Sequence, residues 1–192
     1  MGYALAKAAL KLGHKVTLVS GPTALTPPQG CRVLAVRSAR QMASVMQNQF
    51  PKADVTIKTA AVSDYRPIKI SKKKIKKQNS KLFLELKRNP DILKSFGKKK
   101  KSHQILVGFA AETHSILKNA LKKMKEKNLD WLIVNDISKK EIGFATDHNE
   151  VILLSKENQT IPLAKDTKQN IARKILRHIT ENLKQVRLSS RT

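Results

Sequence analysis

Apolar positions after Gly2 recur at three- and four-residue intervals, at Ala4, Leu5, Ala8, Ala9 and Leu12, and predict a helix that stops at Gly13. Val16 to Ser20 is a short β-prone run closed by Gly21-Pro22, and Arg32 to Val36 is another. A helix is expected from about Ala39 to Gln49. Asp54 to Ile57 then reads as a strand, and the alternation returns with strands near Gln104–Phe109, Asp130–Val134 and Val151–Leu154. Helical patterns at His114–Lys127 and Thr167–Leu183 separate or follow them. Strands alternating with helices predict an α/β, Rossmann-like fold, with a mostly parallel sheet covered by helices on both faces.

From Ile68 to Lys87 the pattern breaks into a lysine-rich stretch and then Lys81 to Lys87, where Leu82, Leu84 and Leu86 share one face of an extended chain. This segment, about 68–87, is expected to be a projecting β-flap. Residues 184–192 are expected to form a disordered tail, which leaves 1–183 as one domain. No internal repeat is visible.

A chain of 192 residues is long enough to bury roughly 70% of its unfolded surface without staples. Cys31 is the only cysteine, which excludes a disulfide framework or a cysteine-based metal site and fits a reducing, cytoplasmic setting. Lys7, Lys11, Lys15 and Lys58 interrupt the apolar runs, so no segment approaches the ~20 apolar residues of a membrane helix. Residues 1–50 hold no Asp or Glu, as transit peptides do, yet their helix–strand–strand–helix pattern predicts folded domain rather than a leader.

Net charge is +25, with lysine runs at 72–74, 98–101 and 122–127, and this alone predicts attraction to polyanions. Specific nucleic-acid recognition would also need a stacking platform or a reading helix, and aromatic residues are only 4% of the chain. A solvated basic surface is therefore preferred over a dedicated nucleic-acid binder. None of the five histidines stands at metal-ligand spacing, and Gly-x-Ser-x-Gly, Walker and Gly-x-Gly-x-x-Gly motifs are absent, which removes the support for hydrolase, P-loop and dehydrogenase readings.

Ligands of an open parallel sheet bind beyond the carboxyl ends of its strands, and several segments fall there. Ala60 and Ala61 are small enough for a base or ribose to approach the backbone, and Asp64 offers a carboxylate either to magnesium or a hydroxyl, or to an Asx turn. Lys74 lies in the polar flap, where an ammonium either closes over phosphate charge or stays solvated. Asn89 is a cap candidate for a helix starting at Pro90, followed by Asp91, Ile92 and Leu93. Phe109 ends a predicted strand, as a base-stacking group or as core. Lys123 and Lys127 share a helical face, where they either hold phosphate together or complement the helix dipole.

Taken in order, Ala60-Ala-Val-Ser-Asp-Tyr-Arg-Pro67, Lys74-Ile-Lys-Lys77, Asn89-Pro-Asp-Ile-Leu93, Gly108-Phe-Ala-Ala-Glu-Thr113 and Asn135-Asp136 resemble the phosphopantothenate–cysteine ligase domain of coenzyme A biosynthesis. The resemblance runs from Met1 to about Ile179. It implies CTP-dependent condensation of 4′-phosphopantothenate with cysteine through an acyl-cytidylate, with Mg2+ as cofactor, giving 4′-phosphopantothenoylcysteine, CMP and pyrophosphate. It assigns nucleotide contacts to Ala60, Asp64, Lys74, Pro90, Asp91, Ile92, Leu93, Phe109, Lys123 and Lys127, a catalytic role to Lys74 and a metal contact to Asp64. The flap is implied to cover the nucleotide and to help build a homodimer. FMN is not expected on this chain; a separate flavin-dependent decarboxylase is the implied partner.

Asn135, Asp136, Gly143, Phe144, Asp147 and Asn149 close the resemblance and are assigned mainly to loop structure, while Ala145 and His148 depart from it. Lys58 departs further, since a small or apolar residue is usual there; it points to a strand end reaching solvent or to relaxed constraint. In the resembled family a strand and a loop carrying a catalytic asparagine precede the helix that opens this chain. Two alternatives therefore stand beside the enzyme: a catalytically incomplete nucleotide-binding remnant, and a basic nucleic-acid-associated protein.

Overall fold

A computed structural model describes residues 1–69, 71, 73–74, 82–112, 116–136 and 147–189. The elements run α1 (Gly2–Lys11), β1 (Thr17–Ser20), β2 (Arg32–Ala35), α2 (Ala39–Gln49), β3 (Val55–Lys58), β4 (Tyr65–Pro67), β5 (Leu86–Arg88), α3 (Ile92–Gly97), β6 (Ile105–Glu112), α4 (Ile116–Lys127), β7 (Trp131–Asp136), β8 (His148–Ser155), β9 (Thr160–Thr167) and α5 (Lys168–Ser189). The fold is Rossmann-like α/β. Parallel pairing joins β1 to β2, β3 to β6 and β6 to β7, and antiparallel β8 and β9 extend the five-stranded sheet β3-β6-β7-β8-β9 at one edge. Among the described residues, β1–β2 is a ladder separate from that sheet, and β4–β5 is a third, antiparallel pair.

Successive strand residues point to opposite faces, and here both faces are buried. Ile105, Val107, Trp131, Ile133, Val151 and Leu153 meet Leu5 and Ala8 of α1 and the Ile171, Ala172, Ile175, Leu176 and Ile179 stripe of α5. Leu106, Leu132, Val134 and Leu154 face the other way, against Met42 and Ala43 of α2, Ile92, Leu93 and Phe96 of α3, and Ala120 and Met124 of α4. The near-continuous apolar runs of β6 and β7 are what a strand covered on two sides needs. The helices turn an apolar stripe to the sheet, although α4 also leaves Leu117 and Leu121 exposed.

Gly13 takes φ +79 directly after α1, as a helix stop requires. Several elements differ from the sequence reading. Asn135 and Asp136 end β7 and Asn149 lies in β8, strand rather than loop, because the ladders with β6, β8 and β9 continue through them. The helix expected to begin at Pro90 begins at Ile92, because Asp91 rather than Asn89 is its cap and accepts from the Lys94 amide at 3.0 Å. Strand β6 continues through Ala110 and Ala111 to Glu112, so Phe109 lies inside it. Strand β9 was not expected at all: Pro162 breaks the β-pattern, but an edge strand has one side on which a missing amide costs nothing. Helix α5 runs through Ser189, so 184–189 are helix rather than tail. Of the flap, 68–69, 71, 73–74 and 82–87 are described and 70, 72 and 75–81 lie outside the described residues, as do Thr113, Gly143, Phe144 and Ala145.

Two glycines set how closely α3 can sit. A Cβ on Gly108 of β6 would fall 2.9 Å from Leu129, 3.1 Å from Leu132 and 3.2 Å from Leu93, so the bare backbone is what lets α3 press onto the sheet. At the other end of α3, a Cβ on Gly97 would lie 1.9 Å from the Lys127 carbonyl oxygen, and the Asn128 side chain donates to the Gly97 carbonyl at 2.8 Å. Gly97→Ala should therefore destabilise the chain by about 2 kcal/mol or more, since overpacking against backbone outweighs the helix propensity gained. Urea unfolding measures this; stabilisation by about 1 kcal/mol, the propensity effect alone, would contradict the close approach.

Candidate functional site

The loop leaving β3 and the turn entering α3 are stitched together by one side chain. Asn89 donates from its amide nitrogen to the Ser63 carbonyl at 2.8 Å, its backbone amide donates to the Asp64 carbonyl at 2.7 Å, and its side-chain oxygen accepts from the Arg66 guanidinium at 3.0 Å. The same guanidinium nitrogen donates to the Arg88 carbonyl at 2.6 Å. The short β4–β5 pair continues this contact, with Tyr65 opposite Arg88 and the Arg88 guanidinium over the Tyr65 ring at 5.7 Å from its centre. This is why Asn89 does not cap α3. Its hydrogen-bonding capacity is committed to the 63–66 loop, and the cap passes to Asp91.

Asp91 does two things at once. One carboxylate oxygen caps α3, and the other is paired with the Lys127 ammonium at 2.8 Å, tying the start of α3 to the end of α4. Partial burial alone would raise the Asp91 pKa, but the hydrogen bonds from Lys127 and the Lys94 amide, with the charges of Lys127 and Lys58, hold it below the usual carboxylate value. Lys58, the last residue of β3, donates to the Ala60 carbonyl at 2.8 Å. Burial, then the charge of Lys127, push its amine below the ordinary lysine value, while Asp91 and Asp64 act in the opposite direction. Two ammonium groups thus crowd the edge around one capping carboxylate.

Ala60, Asp64, Pro90, Asp91 and Lys127 come together at this edge, with Ala60, Asp64, Pro90 and Asp91 exposed. Lys123 is half-buried one turn before Lys127 on α4. Ile92 and Leu93 are only 3% and 6% exposed, so their side chains are core and only their backbone can meet a ligand. Phe109 is half-buried against the α1–α5 layer. Lys74 is exposed, and among the described residues no contact links it to the others. Thr59 packs close enough to α1 that a Cβ on Gly2 would lie 2.7 Å from its hydroxyl, which brings the start of α1 to the same edge. Asn149 is 1% exposed and donates to the Asn135 side chain at 3.2 Å, a structural link between β7 and β8.

No group of three or more His, Cys, Asp or Glu side chains among the described residues could form a metal cage. Asp64, exposed in its loop, fits a magnesium ion of the kind ordinarily held by one or two carboxylates plus phosphate oxygens. No helix among the described residues is long and apolar enough to cross a membrane. A wide cleft of about 1010 Å³ lies between α1, the 25–29 loop and the β9–α5 junction, lined by residues including Lys7, Lys11, Pro28 and Lys168. Of the motif residues it contains Asp147, but none of those gathered at the stitched edge. Arg66 and Lys58 were not among the candidate site residues of the sequence reading; the Tyr-Arg-Pro motif was a signal for the first.

The family described as "DNA/pantothenate metabolism flavoprotein C-terminal domain" matches residues 1–183. The coenzyme A biosynthesis bifunctional protein CoaBC of Bacillus subtilis (strain 168) is 44% identical over 186 residues, which are 96% of this chain and 46% of that protein. The corresponding protein of Vibrio parahaemolyticus is 39% identical over 183 residues, covering 94% and 46%. The chain thus spans about half the length of the curated relatives it matches. Among solved structures, the C-terminal domain of a CoaBC protein superposes with TM-score 0.81 at 39% identity, covering 96% of this chain and 82% of that one. A Cab2 variant in complex with phosphopantothenate-cysteine superposes with TM-score 0.79 at 17% identity, covering 100% and 79%, a likeness of fold alone.

The Asp91–Lys127 clamp has a pH signature. A carboxyl whose folded pKa is depressed contributes stability above its unfolded pKa of about 4 and loses it as pH falls through the folded value. Asparagine also caps helices, so Asp91→Asn removes the charge and little else. The stability gap between wild type and Asp91→Asn, read by urea unfolding, should be constant from about pH 5 to 7 and shrink below about pH 4. A gap that stays level or widens in acid would contradict the clamp.

Proposed function

The chain belongs to the family of DNA/pantothenate metabolism flavoprotein C-terminal domains, and from that premise we propose that it is a phosphopantothenate–cysteine ligase domain that uses CTP. The observation that carries the reading is the convergence of the Ala60–Pro67 loop, the Asn89–Asp91 turn and Lys127 on one sheet edge, stitched through Asn89 and Arg66. An edge rich in ammonium groups, with no activated nucleophile among the described residues, suits chemistry in which the protein positions phosphates and stabilises charge.

In this reading the 4′-phosphopantothenate carboxylate attacks the α-phosphorus of CTP, pyrophosphate leaves, and the amine of cysteine then displaces CMP from the acyl-cytidylate carbonyl. Ala60 and the backbone of Pro90 to Leu93 receive the cytidine, and Phe109, whose side chain lies on the α1–α5 face of the sheet, would meet the base from that side. Asp64 holds the ribose or a magnesium ion, which when bound supplies charge neutralisation at the phosphates. Lys123 and Lys127 grip phosphate, and Lys74 closes over it from the flap. The exposed Leu82, Phe83 and Leu84, at 68%, 89% and 61%, support a flap that is covered by a second subunit of a homodimer. The wider pathway needs a flavin-dependent decarboxylase, and a cytoplasmic setting fits all of these substrates.

Isothermal titration in the presence of magnesium should show CTP binding more tightly than ATP, because the base would be read by backbone around Ala60 and Pro90 rather than by charge. Equal affinities for the two nucleotides would mean that lysine charge alone is responsible and would overturn the assignment.

A further inference from the structure

Val55 and Ile57 of β3 face the α1–α5 layer, so by strand alternation Thr56 and Lys58 face the side covered by α3 and α4. Lys58 stands in register with Gly108, the residue whose missing side chain admits Leu93 and hence seats α3. A strand position on that face would ordinarily be apolar. Here it is a half-buried lysine whose ammonium is turned back to the Ala60 carbonyl at 2.8 Å, a bond that uses one of three donors. The capping carboxylate nearby, Asp91, is already in contact with Lys127 at 2.8 Å and with the amide of Lys94 at 3.0 Å. Lys58 is thus a cation drawn partly out of water and repelled by Lys127, with the Asp91 and Asp64 carboxylates acting on it through space and a neutral carbonyl as its hydrogen-bond acceptor. An anion bonded to it directly would offset the cost of burial and the repulsion together.

We propose that Lys58 is an anion-binding residue of this site, exchanging its internal bond to the Ala60 carbonyl for a phosphoryl oxygen of the bound nucleotide. The identity of that anion rests on the nucleotide reading above; the anion site itself does not. Breaking the Lys58–Ala60 bond also frees the carbonyl at the start of the Ala60–Pro67 loop, so phosphate capture and loop adjustment are one event. The lowered basicity of Lys58 supports this, because the charge becomes easier to hold once phosphate is present.

Lys58→Met keeps the length and packing of the stem and removes the charge; Lys58→Arg restores it. Titration of wild type and both variants with CTP, cytidine and inorganic tripolyphosphate, at one ionic strength, separates the roles. Loss of a charge-assisted contact should weaken CTP and tripolyphosphate by about tenfold in Lys58→Met, with Lys58→Arg recovering most of the loss and cytidine unaffected. Unchanged tripolyphosphate affinity, or equal weakening of cytidine and CTP with no rescue by arginine, would make Lys58 a loop clamp and overturn the proposal. If wild type binds CTP and ATP equally while Lys58→Met still loses tripolyphosphate, the nucleotide assignment fails and the anion site stands. If wild type prefers CTP and Lys58→Met binds all three ligands normally, the reverse holds. Should Lys58→Met fail to fold, the Lys58 amine of the wild-type chain is followed by NMR: tripolyphosphate should raise its pKa, and no movement would overturn the proposal.

Discussion

The absence of a side chain at Gly108 is the constraint on which the site depends. Because Leu93 and Leu129 can close over that backbone, α3 lies against β6 with Ile92, Leu93 and Phe96 sunk into the α2–α3–α4 core. Its start is then fixed beside the ends of β3 and α4. Gly97 does the same at the far end, where the backbone of Lys127 comes nearer than any side chain would allow. A helix of six residues cannot hold itself in water, so it is packing at these two glycines that places Asp91 where Lys127 and Lys58 can feel it.

The two ends of the sheet use the same residue types to opposite effect. At the amino-terminal end of β6 and β7, Asp130 is buried and fully engaged: Lys100 at 2.7 Å, Lys156 at 3.1 Å and the Leu106 amide at 2.7 Å. That arrangement is closed, holds β6 to β7 and leaves no capacity for a ligand. At the carboxyl end, Asp91 is divided between the helix cap and Lys127, Lys58 bonds only the Ala60 carbonyl, and the surroundings are exposed backbone and small side chains. Both lysines at the amino-terminal end are bonded to their carboxylate, whereas at the carboxyl end one of the two is not.

Much of this was legible in the chain before any coordinates. Strong periodicity identified α1, α5, β6 and β7 because burial on one stripe or on two faces leaves a dense apolar record. Strand β9 left none, since Pro162 and its charged neighbours suit an edge that only one partner covers. The α3 boundary slipped because Asn89 and Asp91 are both good caps, and only the Arg66 and Ser63 contacts decide between them. Phe109 read as a strand end because Ala110 and Ala111 look like a loop opening, whereas β7 pairs with them and carries the strand on. Lys58 was visible as an oddity but not as part of a charge cluster, because that depends on Asp91 and Lys127, which are remote in sequence.

The central claim is that nucleotide binds at the stitched edge rather than in the larger cleft beside α1. Hydrogen–deuterium exchange with and without CTP and magnesium tests it most directly. The account predicts new protection in residues 60–67, 89–94 and the last turn of α4, with 7–11 and 25–29 unchanged. Protection confined to 7–11, 25–29 and the start of α5, with the 60–67 loop exchanging as before, would contradict it.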